Sequence, residues 1–311
     1  MMHILPLSLS NPLSTRLSAT VLSSALLLTV LSPGVDAAPL QVTHFNPGAD
    51  SIFPVTSSFI SGEHELVLVD AQFQTNDAQT LVDTIKASGK RLTKVFISHG
   101  DPDFYFGLAL IRANFPKAEI LATPSTRAHI QSSMASKLAY WGPILKDNAP
   151  KELVLPEAIT GDSFSVDGET VRIIGYRSQD PEHSFLWVPS AKTITGGVEV
   201  FDGMHMWMAD TQTKASRQNW LQHLDTMLAL QPEAVIPGHY LVNPEQGKAS
   251  LDKRAITATR DYVQTFEQAA SQADNAAQLI HKMQQSYPEY RGAGLLDISA
   301  KVIMGEMAWP Q

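Results

Sequence analysis

The sequence predicts a layered α/β fold. Three observations predict it: the first third beyond residue 38 reads as strands, the stretch after Asp70 alternates strand, loop and helix, and about the last sixty residues are mainly helical.

Each element follows from local pattern. Leu40 to Phe45, Ile52 to Ile60 and Glu65 to Val69 are rich in β-branched and apolar residues, and turns at Asn46-Pro47-Gly48 and Ser61-Gly62-Glu63 separate them. From Asp77 to Ser88, Leu81, Val82, Ile85 and Ala87 recur at near-helical spacing until Gly89 ends the run. Lys94 to Ser98 follows as a strand, and Gly107 to Ile111 opens another helix. The loop between them, His99-Gly100-Asp101-Pro102-Asp103-Phe104, therefore sits at the carboxyl end of a strand, where α/β folds commonly place their chemistry.

A second series begins with a strand from Glu119 to Ala122 and a helix from Ser125 to about Tyr140, then short strands near Leu153, Val171, Phe185 and Thr193. Trp220, Leu221, Leu224, Met227, Leu228 and Leu230 mark one face of a helix. Ala234 to Pro237 is a short buried strand leading into Gly238-His239. Helices from Leu251 to Ala270, Ala276 to Gln285 and Ile298 to Met307 are regular enough to indicate packing rather than catalysis.

Composition bounds the function. The net charge is −8 with no long run of Lys or Arg, which argues against a nucleic-acid partner. There is no cysteine, so thiolate nucleophiles, zinc thiolates, disulfides and lipoprotein anchors are excluded, and any chemistry uses His, carboxylates and hydroxyls. Residues 1–37 read as a cleaved export signal: Arg16 precedes an apolar stretch from Leu17 to Leu31, and Val35-Asp36-Ala37 places small residues for a signal peptidase. That stretch is about 15 residues, short of the roughly 20 that span a bilayer; a retained membrane anchor is the alternative reading. Cleavage would leave one domain, 38–311, periplasmic or secreted and free of the membrane, with a small molecule as its partner; the oligomeric state is not legible.

In the His99 loop, potential ligands crowd at alternate positions of a tight turn, a spacing that can converge on a cation. Imidazole and carboxylate suit zinc, iron or manganese, and a metal with an open position turns water into hydroxide near neutral pH. Asp101 and Asp103 have a second reading, as caps of the helix starting near Tyr105.

Phe96 to Gly107 resembles the metal loop of the metallo-β-lactamase superfamily, which usually reads His-x-His-x-Asp-His followed by Gly. Leu68-Val69-Asp70, Phe185-Leu186-Trp187-Val188-Pro189 and Ile236-Pro237-Gly238-His239 resemble further landmarks in the same order, so the match spans about residues 40 to 245. The resemblance implies a four-layer αβ/βα sandwich, here with extra C-terminal helices. It also implies a metal set of His99, Asp101, Asp103 and His239, with Asp103 both touching metal and managing a proton. Departures are plain: Asp101 stands where a second His is usual, Phe104 replaces a fourth ligand, and Val198 stands where a bridging Asp is common. The third histidine position falls at Gln179, with His183, otherwise typical of a surface residue, as the alternative. One divalent ion of mixed N/O ligation, zinc or else iron or manganese, is what such a set implies. His205 to Asp210 resembles a pocket segment of some members, and Tyr105, Phe106, Tyr140 and Trp141 read as either substrate wall or core.

Two functions remain open from sequence, beside a third reading as an enzyme that uses a different metal, including an oxygen-dependent one. The first is a metal-dependent hydrolase of a small ester, lactone, amide or phosphoester. The second is a periplasmic small-molecule-binding protein on the same fold, with little or no catalysis.

Overall fold

Thirteen strands and eight α-helices follow one another in the described residues of a computed structural model, 38–178, 180–241 and 251–309. The export signal read over residues 1–37, and Gln179, lie outside them.

The first half supplies β1 (Gln41–Phe45), β2 (Ser57–Ser61), β3 (Glu65–Val69), α1 (Thr75–Ser88), β4 (Arg91–Ile97), α2 (Pro102–Tyr105), α3 (Leu108–Asn114), β5 (Glu119–Ala122), α4 (Pro124–Leu145) and β6 (Glu157–Ala158). These strands form one six-stranded sheet in sequence order, antiparallel through β3 and parallel from β3 to β6. The second half supplies β7 (Ser163–Val166), β8 (Glu169–Ile174), β9 (Phe185–Val188), β10 (Thr193–Thr195), β11 (Phe201–Asp202), α5 (Lys214–Ala229), β12 (Ala234–Val235), β13 (His239–Tyr240), α6 (Lys253–Ser271), α7 (Ala276–Ser286) and α8 (Ala293–Ile303). Its sheet runs β12-β10-β9-β8-β7, and β11 pairs with β13 beside it.

Three apolar cores make four layers. Ile60, Val67, Val69 and Phe96 of the first sheet meet Val166, Val171, Ile173 and Leu186 of the second, so the two sheets face each other. The alternate residues, Leu66, Leu68, Val95 and Ile97, turn outward onto Leu81 and Ile85 of α1 and Leu108 and Ile111 of α3, as the two-residue strand period requires. On the far side Phe185, Trp187 and Ile194 pack under Trp220 and Leu224 of α5 and the helices α6 to α8. Helix, sheet, sheet, helix is the expected sandwich, with the added C-terminal helices thickening the outer layer.

Some boundaries move. The Ile52 to Ile60 strand begins only at Ser57, because the preceding segment folds as a short turn of 3-10 helix (Gly48–Asp50) and a bend. No strand forms at Leu153; the edge of the sheet is β6 instead. Among the described residues no helix is long and apolar enough to cross a membrane.

Candidate functional site

β4 ends at Ile97, and the next residue, the buried Ser98, fixes where the loop starts. Its backbone N–H and hydroxyl donate to the two oxygens of Asp70 at 2.8 and 2.6 Å, and its hydroxyl accepts from Gly197 N–H at 2.7 Å. Asp70 thus has a structural role, tying the end of β3 to the start of the loop. Burial pushes its carboxyl up to about 8 although the Ser98 bonds favour the anion.

The four expected ligands fall into two separate pairs. His239 Nε2 donates to Asp103 Oδ2 at 2.8 Å, with both side chains 9% exposed. His99 Nε2 stands 3.3 Å from Asp101 Oδ2. Phe104 lies between the two imidazoles, edge-on to both, with ring centroids 5.3 Å from His99 and 5.5 Å from His239. Phe201 stacks on the other face of His239 at 5.2 Å. Neither carboxylate serves as the helix cap that sequence left open for it: Asp101 occupies the N-cap position of α2 without a side-chain cap bond, and Asp103 is turned to His239.

Lys137, from α4, completes the second pair. Its Nζ donates to Asp101 Oδ1 at 2.7 Å, to the Gly100 carbonyl at 3.2 Å and to His129 Nε2 at 3.2 Å. With Nε2 accepting, the hydrogen-bond network places the proton of His129 on Nδ1, which donates to Glu182 at 3.1 Å. The loop needs Gly100 here, since a Cβ would sit 2.8 Å from the His129 ring. Burial opposes the Asp101 charge, but the His99 bond and charge and the Lys137 ammonium outweigh it and hold the carboxyl well below the ordinary range.

His183 is not a surface residue. It is stacked on His99 at 5.5 Å, with Nδ1 2.8 Å from Asp180 Oδ2 and a side chain 16% exposed. Burial disfavours its charge, yet the Asp180 bond and the charges of Glu199, Asp180 and Asp210 push it up to about 9.

Beside these histidines lies a cavity of about 20 Å³, room for one water or one ion, lined by His99, His183, Val198, Glu199, Trp207 and Asp210 among others. Glu199 is buried; His223 Nδ1 holds its Oε1 at 2.8 Å, and its Oε2 has no hydrogen-bond partner among the described residues. Two indoles, Trp207 and Trp309, donate to the carboxylate of Asp210 at 2.6 and 2.9 Å. Of the segment read as pocket-lining, Trp207 and Asp210 reach the cavity, whereas Met206 and Met208 are core. Tyr105 and Phe106 are core as well, Trp141 packs edge-on against Phe53 and Phe73, and Tyr140 is exposed.

A metal would need at least three of these donors to converge. Among the described residues no group of three or more His, Asp or Glu side chains is arranged to hold one. The expected donors are engaged two by two with an apolar ring wedged between them, so the residues as they stand do not fit an ion. Lys137, His129, Glu182, Glu199 and His223 belong to the site and were not singled out from sequence. Only Glu199, next to the Val198 position, carried a signal that could have found it.

Comparison with known proteins places this geometry. The family described as the Metallo-beta-lactamase superfamily matches residues 51–239, more than half of the chain. No curated protein matches it. Among solved structures, a beta-lactamase domain protein from Burkholderia ambifaria is similar with a TM-score of 0.58 at 14% identity, over 88% of this chain and 89% of that one. A metallo-beta-lactamase family protein from Thermus thermophilus is similar with a TM-score of 0.56 at 15% identity, over 85% and 93%. DIM-1 metallo-beta-lactamase is similar with a TM-score of 0.52 at 19% identity, over 74% and 99%. Identities this low carry the fold and nothing finer.

Proposed function

The chain belongs to the metallo-beta-lactamase superfamily, whose members as a family are hydrolases that bind divalent metals, typically zinc, and from that premise we propose a small-molecule hydrolase with an atypical site, in which Asp103 is the base. A zinc-type ion in a superfamily site supplies activated water; here, among the described residues, the expected donors do not converge on such an ion. The observation that carries the reading is the Asp103–His239 pair. His239 Nε2–H fixes one carboxylate oxygen at 2.8 Å, leaving the other to accept a proton from water as it attacks an ester, lactone, amide or phosphoester. The Lys137 ammonium, reaching in from α4 to Asp101, and the His99 imidazole on the other oxygen of that carboxylate flank the loop and supply charge and hydrogen bonding against the negative charge that develops on the substrate oxygen. Export to the periplasm or beyond, and a small-molecule partner, belong to the same proposal.

The test is turnover of ester, lactone, amide, phosphodiester and β-lactam substrates by the purified protein. Asp103→Asn is expected to lower kcat on the accepted class by about 100-fold or more with KM little changed, the loss typical of a missing general base. Absence of turnover in every class would sink the hydrolase reading. It would leave a second one, ligand capture without chemistry, which Phe104 and Val198 favour by making the ligand positions apolar.

A further inference from the structure

We infer that Lys137 is a built-in cation that occupies the electrostatic place of a metal in the His99 loop, so that this protein neither needs nor retains a transition metal there. An ammonium carries three N–H groups, and those of Lys137 meet one carboxylate oxygen, one backbone carbonyl and one imidazole nitrogen: Asp101 at 2.7 Å, Gly100 at 3.2 Å and His129 at 3.2 Å. These acceptor types, gathered around one point, are those that would surround a cation. The point is held from outside as well, because Glu182 fixes the His129 ring and His99 takes the second oxygen of Asp101.

A divalent ion entering this loop would face a fixed positive charge within a few ångströms, at a partly buried position where screening is weak. It would also have to displace Phe104 from between His99 and His239 to join the two pairs. Lys137 lies 36 residues beyond Asp101 on a different element, so the cation arrives with the fold rather than from solution.

The inference concerns the loop that holds the proposed base, but it does not rest on turnover, and its readouts are metal content and stability. Full-length protein dialysed against zinc and then desalted is expected to hold less than about a tenth of an equivalent. Its thermal midpoint should not move with zinc or with a chelator. Lys137→Met removes the charge and leaves the acceptor nest, and should tighten zinc binding by at least about tenfold; Lys137→Arg, which keeps the charge, should remain metal-free. A full equivalent of zinc, iron or manganese in the unaltered protein would overturn the inference. So would folded Lys137→Met, by circular dichroism, that takes up no more zinc than the parent. Should Lys137→Met fail to fold, the parent's metal content and its thermal response to zinc decide alone: a rise of about 3 °C or more would refute the idea. Hydrolysis can fail while these results stand, and the reverse, so the two proposals are separable.

Discussion

His205 shows how much a single buried side chain asks of its surroundings. It is 2% exposed, its Nδ1 meets the Tyr262 hydroxyl at 3.0 Å, and burial pushes its pKa down to about 4. The unfolded chain, with an ordinary histidine, takes up that proton first as pH falls. The contribution to stability is therefore present above the unfolded value, near 6.5, and is lost as pH drops from there through about 4. The loss should approach about 3 kcal/mol across that window. Urea unfolding at pH 7, 5.5 and 4 should show it, and His205→Gln, which keeps an acceptor for Tyr262, should flatten the slope. Equal slopes in the two proteins would assign the acid sensitivity elsewhere. At this scale the sequence was informative where residues are neighbours in the chain, as with His99, Asp101 and Asp103. It was silent on Lys137 and Glu182, whose roles come from contacts 36 and 53 residues away. The pairing of the ligands was illegible for the same reason: Phe104 is visibly not a ligand, but nothing local says that its ring lies between two histidines.

Elements were more legible than contacts because periodicity is a local property. The α1, β5, α6 and α7 readings stand within two residues at each end, since apolar spacing and turn residues agree there. α4 runs five residues past Tyr140 to Leu145, through Gly142 and Pro143. Pro143 is in the last turn, so the lost backbone bond costs little further helix. α8 begins at Ala293 rather than Ile298 because Leu296 is buried, drawing the turn before it into the core. α5 offers a test of what a boundary contributes. Thr213 Oγ1 accepts from Ser216 N–H at 3.0 Å and Ser216 Oγ accepts from Thr213 N–H at 3.2 Å, a reciprocal cap. Thr213→Ala should cost about 1 kcal/mol. In a domain of this size that lowers Tm by about 2–4 °C in calorimetry, and no change would mean the helix is held entirely by Trp220 and Leu224.

Across the whole molecule the sandwich was legible because its three cores each repeat a simple pattern, alternating on strands and every third or fourth residue on helices. What joins its halves is tighter. Gly238 N–H donates to the Val200 carbonyl at 3.0 Å and its own carbonyl accepts from Thr56 N–H at 2.8 Å, linking the connection between β12 and β13 to the residues just before β11 and β2. A Cβ at Gly238 would collide with the Gly197 carbonyl, backbone against backbone. Gly238→Ala is therefore expected to destabilise by about 3 kcal/mol, the upper range for overpacking. Its Tm should fall by more than that of Thr213→Ala, and an unchanged Tm would show that this junction yields.

The Asp103–His239 bond crosses 136 positions of sequence. During synthesis the acid emerges long before the imidazole that will hold it, and neither half of the polypeptide contains the pair. The centre is thus joint property of two distant stretches of gene. A change on the early loop is tolerable only if the late strand still meets it, and drift at either end is checked by the other.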